Sequence, residues 1–231
     1  MKVVILAGGF GTRLSEYTKN IPKPMVTIGN KPIIMHIIEI YKKYGFNDFI
    51  IAVGYKGFII KRFFKNKKIK VKCINTGLNT MTGGRLKKIK KYLLPDEDFM
   101  LTYGDGLSSV NLKKLLKFHK KKNNLVTVTA VKPPARFGAL KIKNDKVTEF
   151  REKFDSDTSW INGGFFVINY HFLDLIKGKN TYLEKEPLQK VAKLRRFGAY
   201  KHRGFWQCMD TKRDLDKLNQ LVNLKKIYWL I

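Results

Sequence analysis

Val3-Val4-Ile5-Leu6-Ala7-Gly8-Gly9-Phe10-Gly11-Thr12-Arg13 is the stretch whose reading decides the fold. Val3–Leu6 is an unbroken apolar run with β-branched residues, short enough for a strand and apolar enough to be buried on both faces. Gly8, Gly9 and Gly11 then form the tight turn that follows it, because glycine lets the backbone bend sharply and approach another group closely. A buried strand that ends in a glycine turn is the usual opening of a parallel sheet with crossover helices.

Working outward, apolar positions recur at helical spacing over Ile33–Tyr44, with Pro32 suited to the first turn and Gly45 to the stop. Phe49–Val53 reads as a second strand, Tyr55–Lys65 as a short helical piece and Val71–Ile74 as a third strand. Gly83-Gly84 precede a basic amphipathic helix, Arg85–Leu94, which Pro95 ends. Phe99–Tyr103 is the next strand, Leu112–His119 a helix and Val126–Val131 another buried strand. In the later part, Ala139–Ile142 and Val147–Phe150 form a hairpin around Asn144-Asp145, Phe165–Ile168 a strand and Asp214–Leu224 a helix. The expected fold is α/β: a Rossmann-like, mostly parallel sheet flanked by helices. A single domain over 1–231 is expected, its later half differing in character from its first.

The chain has 231 residues, 47 Lys and Arg against 18 Asp and Glu, and a formal net charge of +29. That excess favours a polyanionic ligand without naming one, and it keeps a nucleic-acid-binding protein as a rival reading. Runs such as Lys65–Lys72, Lys87–Lys91 and Lys120–Lys122 include many residues that suit solvated faces and turns. A nucleic-acid reader would need base-stacking aromatics on a recognisable module, and none is visible. Cys73 and Cys208 are the two cysteines, far apart in sequence and with neither C-x-x-C spacing nor clustered histidines, which speaks against a zinc site or a disulfide framework. The opening apolar run is too short for a signal peptide, and no stretch has the length of a membrane span. A cytoplasmic protein that engages neither nucleic acid nor membrane is expected.

Three groups of residues could carry chemistry. The turn at 8–11 offers backbone N–H groups to phosphate oxygens, and Arg13 and Lys23 follow it with positive charge. It is neither a P-loop, since no Gly-Lys-Ser/Thr ends it, nor a dinucleotide fingerprint, since Leu14 stands where a small residue belongs. Asp105 follows an apolar strand between two glycines, and Asp210 follows Gly204–Met209; both suit Mg²⁺ beside phosphates, and both also suit turns or caps. Glu152-Lys153 and Asn162-Gly163-Gly164 suit a sugar phosphate, while Lys153 also reads as a surface lysine and Asn162 as a turn former.

Taken in order, these residues resemble the sugar nucleotidyltransferase family. The resemblance rests on Leu6–Leu14, Pro22–Met25, Tyr103–Gly106, Phe150–Lys153, Asn162–Val167 and Trp206–Thr211, and covers nearly the whole chain. It implies the nucleotide-diphospho-sugar transferase type of fold, with a nucleotide-binding part at about 1–131 and a sugar-binding part at about 132–231. It further implies a nucleotide held by Leu6, Ala7, Gly8, Gly9, Gly11, Thr12, Arg13, Lys23, Thr82, Arg85 and Gly104. Arg13, Lys23 and Asp105 are implied as catalytic, and Mg²⁺ as the cofactor on Asp105 and Asp210. Lys153, Asn162 and Gly163 are implied to receive the sugar phosphate. Met25–Gly29, Gly54–Gly57, Met81–Leu86, Pro133-Pro134 and Arg136–Leu140 are similar to members that join CTP to glucose 1-phosphate. UTP, dTTP or another sugar 1-phosphate is the alternative within the same chemistry. Ser15 and Phe154 replace the proline of many relatives, and the link from Phe64 to Thr76 is shorter than usual, which bears on the expected homo-oligomer.

Overall fold

A computed structural model describes residues 1–133, 139–151 and 159–231. Its elements follow in chain order: β1 (Lys2–Ala7), α1 (Ser15–Thr18), β2 (Thr27–Ile28), β3 (Lys31–Pro32), α2 (Ile33–Lys43), β4 (Asp48–Val53), α3 (Gly57–Phe64) and β5 (Val71–Asn75). Next come α4 (Thr82–Ile89), β6 (Asp98–Tyr103), β7 (Gly106–Ser108), α5 (Leu112–Lys121), β8 (Val126–Val131), β9 (Ala139–Lys143) and β10 (Lys146–Arg151). The last are β11 (Ile161–Asn169), α6 (Glu186–Lys193), β12 (Phe197–His202), β13 (Trp206–Cys208) and α7 (Lys212–Asn223).

Seven strands form one sheet in the order β12-β8-β11-β6-β1-β4-β5. β1 pairs in parallel with β4 and β6, and β4 with β5, so the fold is the Rossmann-like sheet that the opening strand announces. β11 is antiparallel to both β6 and β8. That single reversal matters for the site, because it brings the start of β11 to the edge where β1 and β6 end.

Strand residues alternate between the two faces. Val3, Ile5 and Ala7 pack on one side with Ile34, Ile37, Leu115 and Leu218, from α2, α5 and α7. Val4 and Leu6 pack on the other with Leu86, Ile89, Leu188 and Val191, from α4 and α6. The doubly apolar pattern at Val3–Ala7 thus marks a strand with helices on both faces. Among the described residues, no helix is long and apolar enough to cross a membrane.

Several boundaries depart from the sequence reading. Pro32 caps α2 from outside rather than sitting in its first turn. The helix expected at Arg85–Leu94 begins at Thr82, so both glycines lie inside it, and its end tightens into a 3₁₀ turn at Lys90–Tyr92. The cause lies in a distant segment. Lys179 and Thr181 cross the start of α4, and their carbonyls accept from Met81 N (2.9 Å) and Gly84 N (3.1 Å). These bonds satisfy helix-end donors that no capping side chain reaches. α7 starts at Lys212 behind a capping box in which Thr211 and Asp214 each bond the other's backbone N–H.

A Cβ on Gly84 would stand 2.3 Å from the Lys179 carbonyl oxygen. Alanine favours a helix over glycine by about 1 kcal/mol, but overpacking against backbone costs about 1–3 kcal/mol. Gly84→Ala is therefore expected to lower stability despite its better helix propensity. A urea midpoint equal to or above that of the wild type would show that the crossing segment yields freely.

Candidate active site

The carboxyl edge of the sheet gathers the site. β1 ends in Gly8–Arg13, where Gly11 adopts φ +70° and Leu14 N bonds Gly11 O at 3.0 Å. A side chain is strained at that φ, so the turn needs glycine there. The neighbouring β6 ends in Tyr103-Gly104-Asp105, tied back to β1 by Gly104 N donating to Leu6 O at 3.0 Å. β7 and β13 form a small antiparallel ribbon, and Met209 N donates to Asp105 O at 2.8 Å. This ribbon brings Asp210 beside Asp105.

Lys23 joins the two carboxylates. Its Nζ lies 2.7 Å from Asp105 Oδ2 and 2.5 Å from Asp210 Oδ1, and Arg13 Nη1 lies 2.6 Å from Asp210 Oδ2. The Lys23 side chain is 11% exposed and that of Arg13 72%, so one cation is built into the site while the other reaches out of it. Burial disfavours the Lys23 charge, but Asp105 and Asp210 outweigh it and hold the ammonium above the ordinary lysine value. Burial likewise disfavours charge on Asp210; Lys23 and then Arg13 outweigh it and hold the carboxyl below its ordinary value. Asp214 secures this aspartate from behind, its Oδ2 accepting from Asp210 N at 3.1 Å and Thr211 N at 2.9 Å. Beside it, Cys208 has its thiol pushed up to about 12 by burial and by the surrounding carboxylates.

Two cavities meet at this cluster. One, of about 400 Å³, is lined by the stretch Leu6–Arg13 together with Lys23, Thr82, Arg85 and Gly104. Every residue expected from the sequence to hold a nucleotide is on its wall. The other, of about 990 Å³, is lined by Asn162, Gly163, Glu184, Trp206 and Asp210, among others. Arg13, Tyr103 and Asp105 line both. Lys153, expected to receive the sugar phosphate, lies outside the described residues.

Arg85 serves the wall rather than offering an open charge. Its guanidinium donates to Gly8 O (2.8 Å), Gly77 O (2.9 Å), Thr76 Oγ1 (2.5 Å) and Leu78 O (3.3 Å), and the residue is buried. It thereby braces the glycine turn against the loop after β5. Sequence reasoning gave no role to Tyr103, Glu184 or Trp206. Tyr103 ends an apolar strand and Glu184 precedes an ordinary amphipathic helix, so neither carries a local signal.

The carboxylates fit a divalent cation of the magnesium kind. Such an ion takes one or two protein carboxylates and completes its shell with water and substrate phosphate. Among the described residues no group of three or more His, Cys, Asp or Glu gathers as a self-sufficient metal cage.

The chain is similar to known proteins over nearly its whole length. The Nucleotidyl transferase family profile matches residues 2–223. Glucose-1-phosphate cytidylyltransferase of Salmonella typhimurium is 45% identical, over 99% of this chain and 98% of its own. A Bacillus subtilis protein named probable glucose-1-phosphate cytidylyltransferase is 40% identical over the full length of both. The crystal structure of HddC from Yersinia pseudotuberculosis superposes with a TM-score of 0.73 at 27% identity, covering 96% of this chain and 99% of that one.

The depressed Asp210 carboxyl contributes stability that is complete above the unfolded value near pH 4 and is lost as pH falls through the folded one. Lys23→Met removes the main source of that depression. Urea titrations at pH 6 and about pH 3 should show a smaller acid loss for the variant than for the wild type; equal losses would mean that Lys23 does not hold the Asp210 charge.

Proposed function

The chain belongs to the Nucleotidyl transferase family, and on that premise we propose that it transfers a cytidylyl group from CTP to α-D-glucose 1-phosphate, giving CDP-glucose and pyrophosphate. The coarser reaction, nucleotidyl transfer to a sugar 1-phosphate, is common to the relatives at 40% identity and above. One observation carries the reading: a glycine-turn cavity and a larger polar-edged cavity share Arg13 and Asp105, with Lys23 beside them. A triphosphate along the first and a sugar phosphate in the second would meet at that cluster.

The chemistry asks for positioning more than for a base. A phosphate monoester is already a nucleophile at neutral pH, so its oxygen attacks the α-phosphorus and pyrophosphate leaves on the opposite side. The turn at 8–11 gives backbone N–H groups to the triphosphate, and Arg85 keeps that turn in place through the Gly8 carbonyl. Arg13, exposed at the mouth of the site, neutralises charge on the departing pyrophosphate. Lys23 offsets charge around the α-phosphate from a fixed position. Mg²⁺ held by Asp105 and Asp210 would neutralise phosphate oxygens as their charge rises. The positive charge of the whole chain raises the local concentration of both anionic substrates.

The base and the sugar are assigned by similarity to the cytidylyltransferases, and a uridylyl- or thymidylyltransferase is the reading to be tested beside it. Pyrophosphate release should be measured with Mg²⁺ for CTP, UTP, dTTP, ATP and GTP, each against glucose, mannose and N-acetylglucosamine 1-phosphates. CTP with glucose 1-phosphate is expected to dominate; a different leading pair overturns the substrate assignment and keeps the reaction. In the same assay Asp105→Asn should lower kcat by on the order of 10²-fold or more. A rate within about threefold of wild type would remove Asp105 from the chemistry.

A further inference from the structure

Outside the charged cluster, four polar side chains run along the seam between the two cavities. Thr82 Oγ1 donates to Glu184 Oε2 at 2.6 Å, and Tyr103 OH donates to Glu184 Oε1 at 2.6 Å. Asn162 Nδ2 donates to Tyr103 OH at 3.3 Å, and Asn162 Oδ1 accepts from Gly164 N at 2.8 Å. Leu183 N donates to Thr82 Oγ1 at 2.9 Å, which fixes the chain next to Glu184. Each carboxylate oxygen of Glu184 thus spends one lone-pair direction on the protein and keeps acceptor capacity for the cavity it lines.

Basic residues outnumber acidic ones 47 to 18, yet among the described residues no cation pairs with Glu184. A carboxylate without a cation repels a phosphate, so an oxygen of Glu184 open to the cavity suits the end away from the phosphate. It does suit a neutral donor, and the donors of a sugar phosphate are its ring hydroxyls. Asn162 supplies the complementary group, since one Nδ2 hydrogen remains after the bond to Tyr103.

We propose that Glu184 selects the sugar by accepting a hydrogen bond from a hexose hydroxyl, with Tyr103 and Thr82 as the positioning residues that hold its two oxygens. This rests on the sugar 1-phosphate reading above. Tyr103 keeps its proton and hence its role as donor, because burial and then Glu184 itself raise its pKa. The 177–185 segment carries Glu184 and also crosses the start of α4 at Gly84, so the sugar acceptor is mounted on the wall of the nucleotide cavity.

The test uses the whole chain and compares wild type, Glu184→Gln and Tyr103→Phe, with thermal melting to establish that each is folded. Sugar 1-phosphate and triphosphate are varied separately in the pyrophosphate assay, with the leading pair of the substrate grid and with the 2-, 3-, 4- and 6-deoxy analogues of its sugar. Losing a hydrogen bond to a charged group lowers kcat/KM for the sugar phosphate by on the order of 10-fold to 100-fold in Glu184→Gln. The KM for triphosphate stays within about twofold. One deoxy analogue should be poor with the wild type and no poorer with Glu184→Gln, because the variant has already lost that contact. Tyr103→Phe should lose less, in the same substrate. Equal penalties for every analogue in both proteins, or a KM change confined to triphosphate, overturns the assignment. Should no pair turn over, nucleotidyl transfer itself has failed, and quenching of tryptophan fluorescence by glucose 1-phosphate, read through Trp206 in the cavity wall, decides the inference separately. Weaker quenching in Glu184→Gln upholds it, and equal quenching, or none in the wild type, overturns it.

Discussion

The ammonium of Lys23 is the point on which the site closes. It enters from a single 3₁₀ turn between Pro22 and Val26, and it is gripped by carboxylates from two different parts of the chain. Without a cation there, Asp105 and Asp210 would face one another half-buried, and like charges in a medium of lowered polarity repel strongly. The ion pairs therefore hold the β7–β13 ribbon against the end of β6. They also gather two carboxylates and a cation within hydrogen-bond distance of one another at the meeting of the two cavities.

The reversal of β11 is the second constraint. In a wholly parallel sheet every strand would start at the edge away from the site. Because β11 runs against β6, with Phe165 opposite Thr102 and Asn169 opposite Asp98, its first residues lie beyond the end of β6. Asn162 and Gly163 thereby stand across from Tyr103, and the indole of Trp206 donates to the Gly163 carbonyl at 2.8 Å. The larger cavity exists because one strand contributes its beginning where its neighbours contribute their ends.

Buried polar groups do their work between these parts. Arg85 is taken out of solvent at a cost, and its fork of donors is spent on carbonyls of the glycine turn and of the loop after β5. Arg85, which the family resemblance implies as a nucleotide contact, lines that cavity and braces its surface through these carbonyls. Similarly, the glycines expected to precede the helix prove to lie in the first turn of α4. The crossing segment at 179–181 supplies carbonyls to that turn and leaves no room for a side chain.

Local pattern determined much of the rest. The apolar runs at Val3–Ala7 and Phe49–Val53 read as buried strands, since burial on both faces removes the polar alternation that a one-sided strand would show. Glycines 8, 9 and 11, Arg13 and Asp105 were legible for a related reason: charge and backbone freedom placed soon after such strands have no use in a core. The meeting of Asp210 with Asp105, the roles of Tyr103 and Glu184, and the crossing at Gly84 were decided by tertiary structure alone. Each depends on a contact between segments distant in the chain, and a hydrogen bond that spans such a separation leaves no periodicity, spacing or composition at either end from which to read it.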